Sequence, residues 1–265
     1  MDDKPTSIDP REVERFTALA DEWWDPKGTM APLHRLAPVR MAFLRERLLL
    51  HFKRDPRSLR PFEGLRLIDI GCGGGLVAEP MARLGFAVTG IDAGEANLRV
   101  ARAHAEAGGL AIDYRALSVE ALAEGEERFD AALALEVVEH VADLAGFLAG
   151  AAAVVRPGGI LIASTINRTV KSFLFAIIGA EYVMGWLPRG THRWDRFLHP
   201  SELAAGLRRS GFVLKELRGL AWDPFGGGWR LSDDLSVNYF AVAIRPPTKD
   251  EPRPRPTLAP GAVHS

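Results

Sequence analysis

The apolar run Leu65-Arg66-Leu67-Ile68-Asp69-Ile70 ends in Gly71-Cys72-Gly73-Gly74-Gly75, and this junction limits the folds open to the chain more than any other stretch. The run reads as a buried strand. The glycines read as a turn whose backbone N–H groups can come close to a ligand. A second apolar segment, Phe86 to Ile91, stops at an acid, Asp92. A strand, a glycine-packed turn and a second strand closed by an acid make a cradle for a nucleoside cofactor, with the acid accepting from both ribose hydroxyls.

Glycine spacing decides which cofactor. A dinucleotide fingerprint requires G-x-G-x-x-G/A, and Leu76 stands where its last glycine or alanine would be. The chain has instead Gly71, Gly73 and Gly75, with Asp69 just before them. This G-x-G-x-G pattern resembles the first motif of class I S-adenosylmethionine (SAM) methyltransferases. On that reading Gly71 and Gly73 bring backbone to the methionine part of the cofactor, Asp69 orients its amino group or a bridging water, and Asp92 holds the ribose. The competing readings, a NAD-type site or a plain turn with a capping aspartate, lack that glycine order. Cys72, the single cysteine, reads as a small buried filler and points to a reducing compartment.

The remaining pattern repeats the first unit. Strands are expected at 65–70, 86–91, 111–115, 129–135, 159–165, 212–219 and 237–244, with helices near 76–84, 94–107, 118–123, 143–155 and 200–210. Such alternation predicts an α/β fold, a Rossmann-like doubly wound sheet of seven strands. The last two strands have no helix between them, which predicts an antiparallel final strand. Before the sheet, residues 1–60 are expected to form a helical cap, with helices over Ile8 to Trp24 and about Pro38 to Phe52. Residues 61–245 are expected to form the methyltransferase domain, and the proline-rich stretch 246–265 a disordered tail. Met1 to Pro10 has no apolar signal core, and no run of 18 apolar residues exists, so a soluble chain is expected. A net charge of −1 gives no basic field for nucleic acid.

An insertion over 167–200 interrupts the alternation. It holds Phe173-Leu174-Phe175-Ala176-Ile177-Ile178 and Tyr182, Met184, Trp186 and Leu187, flanked by Arg168, Lys171, Arg189, Arg193 and Arg196. Apolar aromatics between bases suit a lid, a membrane interface or a greasy substrate. The fourth strand ends in Leu135-Glu136-Val137-Val138-Glu139-His140, where open α/β sheets bind ligands. Leu135 is expected against the cofactor. Glu136, Glu139 and His140, at i, i+3 and i+4, share one face of a helical turn and could hold a divalent cation such as Mg2+. Alternatively His140 is a general base, or the segment is only a capped helix start. Arg40 is the candidate partner for the cofactor carboxylate.

Several blocks carry a closer resemblance. They are Asp21-Glu22-Trp23-Trp24-Asp25-Pro26, Pro32-Leu33-His34, the glycine turn, and Glu136-Val137-Val138-Glu139-His140. Ser164-Thr165-Ile166-Asn167-Arg168-Thr169, Gly179-Ala180-Glu181-Tyr182, Gly190-Thr191-His192 and Val237-Asn238-Tyr239 complete them. In this order the chain resembles the ubiquinone-biosynthesis O-methyltransferases over roughly residues 13–242, departing from their pattern at Ala37 and Trp194. The resemblance implies SAM-dependent methylation of a 2-polyprenyl-6-hydroxyphenol and of 3-demethylubiquinol. It puts SAM contacts on Arg40, Gly71, Asp92 and Leu135, and metal ligands on Glu136, Glu139 and His140. Without metal, His140 or His192 is the expected base. It also implies a cytoplasmic protein that meets its polyprenylated substrate at the anionic inner-membrane surface, and contact with other quinone-synthesis enzymes. A NAD(P)-dependent oxidoreductase and a non-catalytic scaffold are the alternatives. The first lacks a Tyr-x-x-x-Lys pair, and the second has no need of Asp69, Asp92 and Glu136.

Overall fold

A computed structural model of the chain describes residues 7–169, 172, 196–223 and 228–247. The insertion's apolar core, the 246–265 stretch beyond residue 247, and His192 lie outside the described residues.

Among the described residues eight strands form one sheet: β1 (Arg66–Ile70), β2 (Ala87–Asp92), β3 (Asp113–Ala116), β4 (Phe129–Leu135), β5 (Val155–Ile166), β6 (Val213–Asp223), β7 (Gly228–Ser232) and β8 (Asn238–Ile244). Their order is β3-β2-β1-β4-β5-β8-β6-β7. β1 to β5 pair in parallel, and β8 runs antiparallel between β5 and β6. The central strand β4 is buried along its whole length, as a strand covered on both faces must be. Alternate residues of β1 feed opposite cores. Leu67 joins Phe43, Leu44, Leu48, Met81 and Phe240, while Ile68 joins Phe147, Leu148, Leu203 and Tyr239.

Helices α3 (Ala78–Arg83), α4 (Glu95–Ala107), α5 (Val119–Ala123), α6 (Leu144–Val154) and α7 (Pro200–Arg209) follow the expected alternation. Two differences stand out. Among the described residues the sheet has eight strands rather than seven, because Gly228–Ser232 pairs antiparallel with β6. Its glycine-rich entry reads as loop in one dimension, and only the partner strand makes it β structure. In the cap, α1 covers only Pro10–Thr17, capped by the Asp9 carboxylate, and a 3-10 turn occupies Ala20–Glu22. The next helix, α2, spans Ala31–Phe52, so it starts well before Pro38. Pro32 takes the first-turn position that suits proline, leaving Pro38 inside the helix without an N–H to donate. Burial of Leu36, Phe43, Leu44 and Leu48, with Phe43 stacked on Phe240 at 4.4 Å, holds α2 on the sheet despite that missing bond.

Strand order reverses direction of growth between β1 and β4. The crevice beyond their carboxyl ends is therefore where a ligand fits.

Candidate active site

The glycine turn leaves β1 directly into this crevice. Gly71 and Gly73 both have positive φ (73° and 51°), and a Cβ at either would lie 2.4 Å from Val137 or Trp23. No other residue meets both demands. The turn is tied to β2 by Gly71 N–H and Cys72 N–H donating to the Ile91 carbonyl at 2.7 and 3.0 Å. Cys72 is buried, and burial pushes its thiol well above the ordinary range, consistent with a filler rather than a nucleophile.

Asp92 closes β2 and accepts from Gly73 N–H (3.0 Å), Gly94 N–H (2.8 Å) and Asn97 Nδ2 (3.2 Å). Burial raises its pKa, and these donors oppose the rise. Asn97 is itself held by Trp23, whose Nε1 donates to Asn97 Oδ1 at 3.0 Å. The Trp23 ring also lies over Gly73 and Gly74, and Trp24 Nε1 donates to the Gly74 carbonyl at 2.9 Å. The N-terminal segment thus pins both the turn and the acid. Asn97 was not evident in the sequence, because its partner Trp23 lies 74 residues away.

Asp69 is buried at the end of β1, and burial pushes its carboxyl up to about 7, with Arg40 opposing and Asp92 adding to the shift. Its Oδ2 has no partner. Arg40 comes from α2 and is wholly buried. Burial lowers its pKa, while Glu136, Asp69 and Glu139 counter that. Its Nη2 donates to Glu136 Oε1 at 3.4 Å, and its Nε is unpartnered. A buried cation with a spare N–H and a buried acid with a spare oxygen form a complementary pair for the carboxylate and ammonium of an amino acid.

The segment after β4 differs from its expected helical face. Residues 136–140 form a turn, not a helix, and Glu136 adopts a left-handed φ of 55°. The cause is local. Glu136 N–H continues the pairing to Ser164 of β5 at 3.0 Å, and His140 N–H closes a tight turn on Val137 at 2.8 Å. Glu136 Oε1 also accepts from the Ser164 hydroxyl at 2.8 Å, and its two oxygens accept from Asn238 Nδ2 at 3.3 and 3.4 Å. Glu139 is buried and accepts from the Thr165 hydroxyl at 2.8 Å. Burial, then the charge of Glu136 beside it, raises its carboxyl well above the usual range. His140 turns the other way. Its Nδ1 lies 2.9 Å from Glu12 Oε2 of α1, and Phe16 packs edge-on at 5.2 Å. Against the cost of burial, the His140 hydrogen bond and nearby cations hold the Glu12 carboxyl below its ordinary value.

The expected three-ligand cluster is therefore not assembled. Among the described residues no three His, Cys, Asp or Glu side chains are grouped to hold a metal. Glu136 and Glu139 do lie together, each carboxyl within reach of the other. Such an oxygen pair fits a divalent cation. His140, as placed, serves Glu12.

Asp69, Arg40, Asp92, Glu136, Glu139 and His140 line one cavity of about 650 Å3, a volume typical of ligand sites. Asp69, Gly71, Gly73, Asp92 and Leu135 line one part. Leu36, Ile166, Leu220, Trp222 and Trp229 give another part an apolar wall, with Glu136, His140 and Asn238 also on the surface.

A doubly wound sheet with this turn, this acid and this buried Arg–Asp pair defines a class I SAM methyltransferase. A methyltransferase-domain family model matches residues 33–217. Ubiquinone biosynthesis O-methyltransferase of Azorhizobium caulinodans is 56% identical over 236 residues, covering 89% of this chain and 93% of that one. The enzyme of the same name from Paramagnetospirillum magneticum is 52% identical over 89% of this chain and 94% of its own. The chain belongs to the ubiquinone biosynthesis O-methyltransferase family. Solved structures agree on the fold. SAM-bound magnesium protoporphyrin IX methyltransferase from Synechocystis superposes with a TM-score of 0.58 at 16% identity, over 91% of this chain and all of that one. The Burkholderia thailandensis 1,6-didemethyltoxoflavin-N1-methyltransferase gives 0.58 at 20% identity, over 92% and 93%.

Proposed function

We propose that this SAM-dependent O-methyltransferase methylates two acceptors in one cavity, a 2-polyprenyl-6-hydroxyphenol and 3-demethylubiquinol, giving methoxy products and S-adenosylhomocysteine. The observation that carries the reading is the single cavity in which a cofactor cradle adjoins an apolar wall, with Glu136, His140 and Asn238 also lining it. Asp92 takes the ribose hydroxyls, Gly71, Gly73 and Leu135 line the cofactor, and Asp69 and Arg40 take its ammonium and carboxylate. The acceptor ring then packs on Trp222, Trp229 and Leu220. A phenolate oxygen attacks the sulfonium methyl in line, its C–O bond forming as the C–S bond breaks. Alignment of two bound reactants supplies on the order of 7–11 kcal/mol of the barrier reduction.

The acceptor must lose a proton. His140, oriented by Glu12, is the residue we assign as base, and His192 is the second candidate from the sequence. A divalent cation such as Mg2+ would be held by Glu136 and Glu139, and when bound it supplies charge that acidifies a nearby hydroxyl. Because a polyprenyl tail resides in lipid, the protein would work at the anionic inner face of the membrane, bound reversibly through the insertion and in reach of other quinone-synthesis enzymes. No helix among the described residues is long and apolar enough to cross a membrane.

The test is incubation of the protein with methyl-labelled SAM and short-tail forms of the two phenols, in Mg2+ or in EDTA. Labelled methoxy product from both phenols is expected. Activity that survives EDTA assigns proton removal to the imidazole, and activity lost in EDTA assigns it to the cation. No product under either condition would sink the substrate assignment.

A further inference from the structure

Asn238 opens β8 in the cavity wall, opposite Ile166 of β5 and Leu220 of β6. Only 8% of the residue is exposed. Its Nδ2 donates to both oxygens of Glu136 at 3.3 and 3.4 Å, while Oδ1 is buried without a partner. The orientation of the amide is not arbitrary. A carboxylate can only accept, so turning the amide over would set oxygen against oxygen beside Glu136. Glu136 is in turn fixed by Ser164 and Arg40. The network thus fixes Oδ1 as a buried, unpartnered acceptor on a residue that lines the cavity. A buried acceptor left unsatisfied is costly, so such a group favours a ligand that brings an O–H or N–H to it.

We infer that Asn238 is a specificity-determining residue, whose Oδ1 accepts a hydrogen bond from the acceptor hydroxyl next to the one being methylated. The inference rests on the proposed substrate reading, in which both acceptors carry two hydroxyls on neighbouring ring carbons. One becomes the attacking phenolate, and the other keeps its proton and donates it to Oδ1. The contact selects an ortho-diol over a simple phenol, and it fixes which oxygen faces the sulfonium.

The test compares kcat/KM for a short-tail 2-prenyl-6-hydroxyphenol with that for the same phenol lacking the neighbouring hydroxyl, in the wild type, Asn238→Ala and Asn238→Asp. The wild type is expected to favour the diol by at least about tenfold. In Asn238→Ala that preference should fall to within about twofold, while Kd for S-adenosylhomocysteine stays within about twofold of wild type. Asn238→Asp keeps an acceptor in place and should retain the preference, though turning over more slowly beside Glu136. A purely structural role would slow both phenols equally and leave the ratio unchanged, which overturns the inference. So does a wild type that does not discriminate, a result that needs no variant to fold. Failure of the wild type to methylate either phenol would instead contradict the substrate reading itself.

Discussion

Asp69 shows how a single side chain can be built for a ligand at the expense of the empty protein. Its carboxyl, ordinarily titrating near 3.8, is pushed up to about 7 by burial. The native state therefore holds this proton more tightly than the unfolded chain does. Its contribution to stability is favourable at low pH and is lost as pH rises from about 4 to about 7. A bound ammonium reverses the preference, since it favours the carboxylate. SAM affinity, measured calorimetrically, should thus fall as pH is lowered below about 7, approaching tenfold per pH unit. In Asp69→Asn that pH dependence should flatten and affinity at pH 7.5 should drop. An unchanged slope in the variant would place the titrating group elsewhere. That Asp69, Asp92 and Gly71 gather at one turn could be read from sequence because they lie within one βαβ unit. Trp23, Asn97, Ser164 and Asn238 could not, because each acts through a partner far along the chain.

Among the elements, the sequence announced α4 and the strands β1 to β5 from their own residues, though β5 begins at Val155, earlier than the expected 159. The misread parts depend on neighbours. The edge strand β7 exists through pairing with β6, and the first turns of α2 tolerate Pro38 because the helix is buried against β8. The turn after β4 looked helical by spacing, but Ser164 captures the Glu136 N–H and forces a left-handed residue. That turn separates His140 from the Glu136–Glu139 pair. The insertion is the element with the clearest functional expectation, and its apolar core lies outside the described residues. Full burial of one large apolar side chain contributes about 1.5–3 kcal/mol, so a few suffice for reversible attachment to lipid. The protein should co-sediment with anionic liposomes, and replacing Phe173, Phe175 and Trp186 with Ser should abolish this without weakening SAM binding. Loss of SAM binding in the same variant would favour a lid that covers the cofactor.

For the molecule as a whole, the sheet brings donor and acceptor halves into one cavity, and the N-terminal segment ties them together. Ser7 carbonyl accepts from Ala142 N–H at 2.7 Å, Arg196 donates to Asp9 at 2.6 Å, and Glu12 meets His140. These contacts join the N-terminal segment to the turns after β4 and before α7, and in the proposed reading both acceptors use this one cavity and the same methyl donor. Mixed-substrate kinetics tests this directly. With both short-tail phenols present at saturating SAM, one cavity predicts that each inhibits methylation of the other with an inhibition constant equal to its own KM. The summed rate should then lie between the two separate rates. Additive rates, with neither phenol inhibiting the other, would contradict a single site for both reactions.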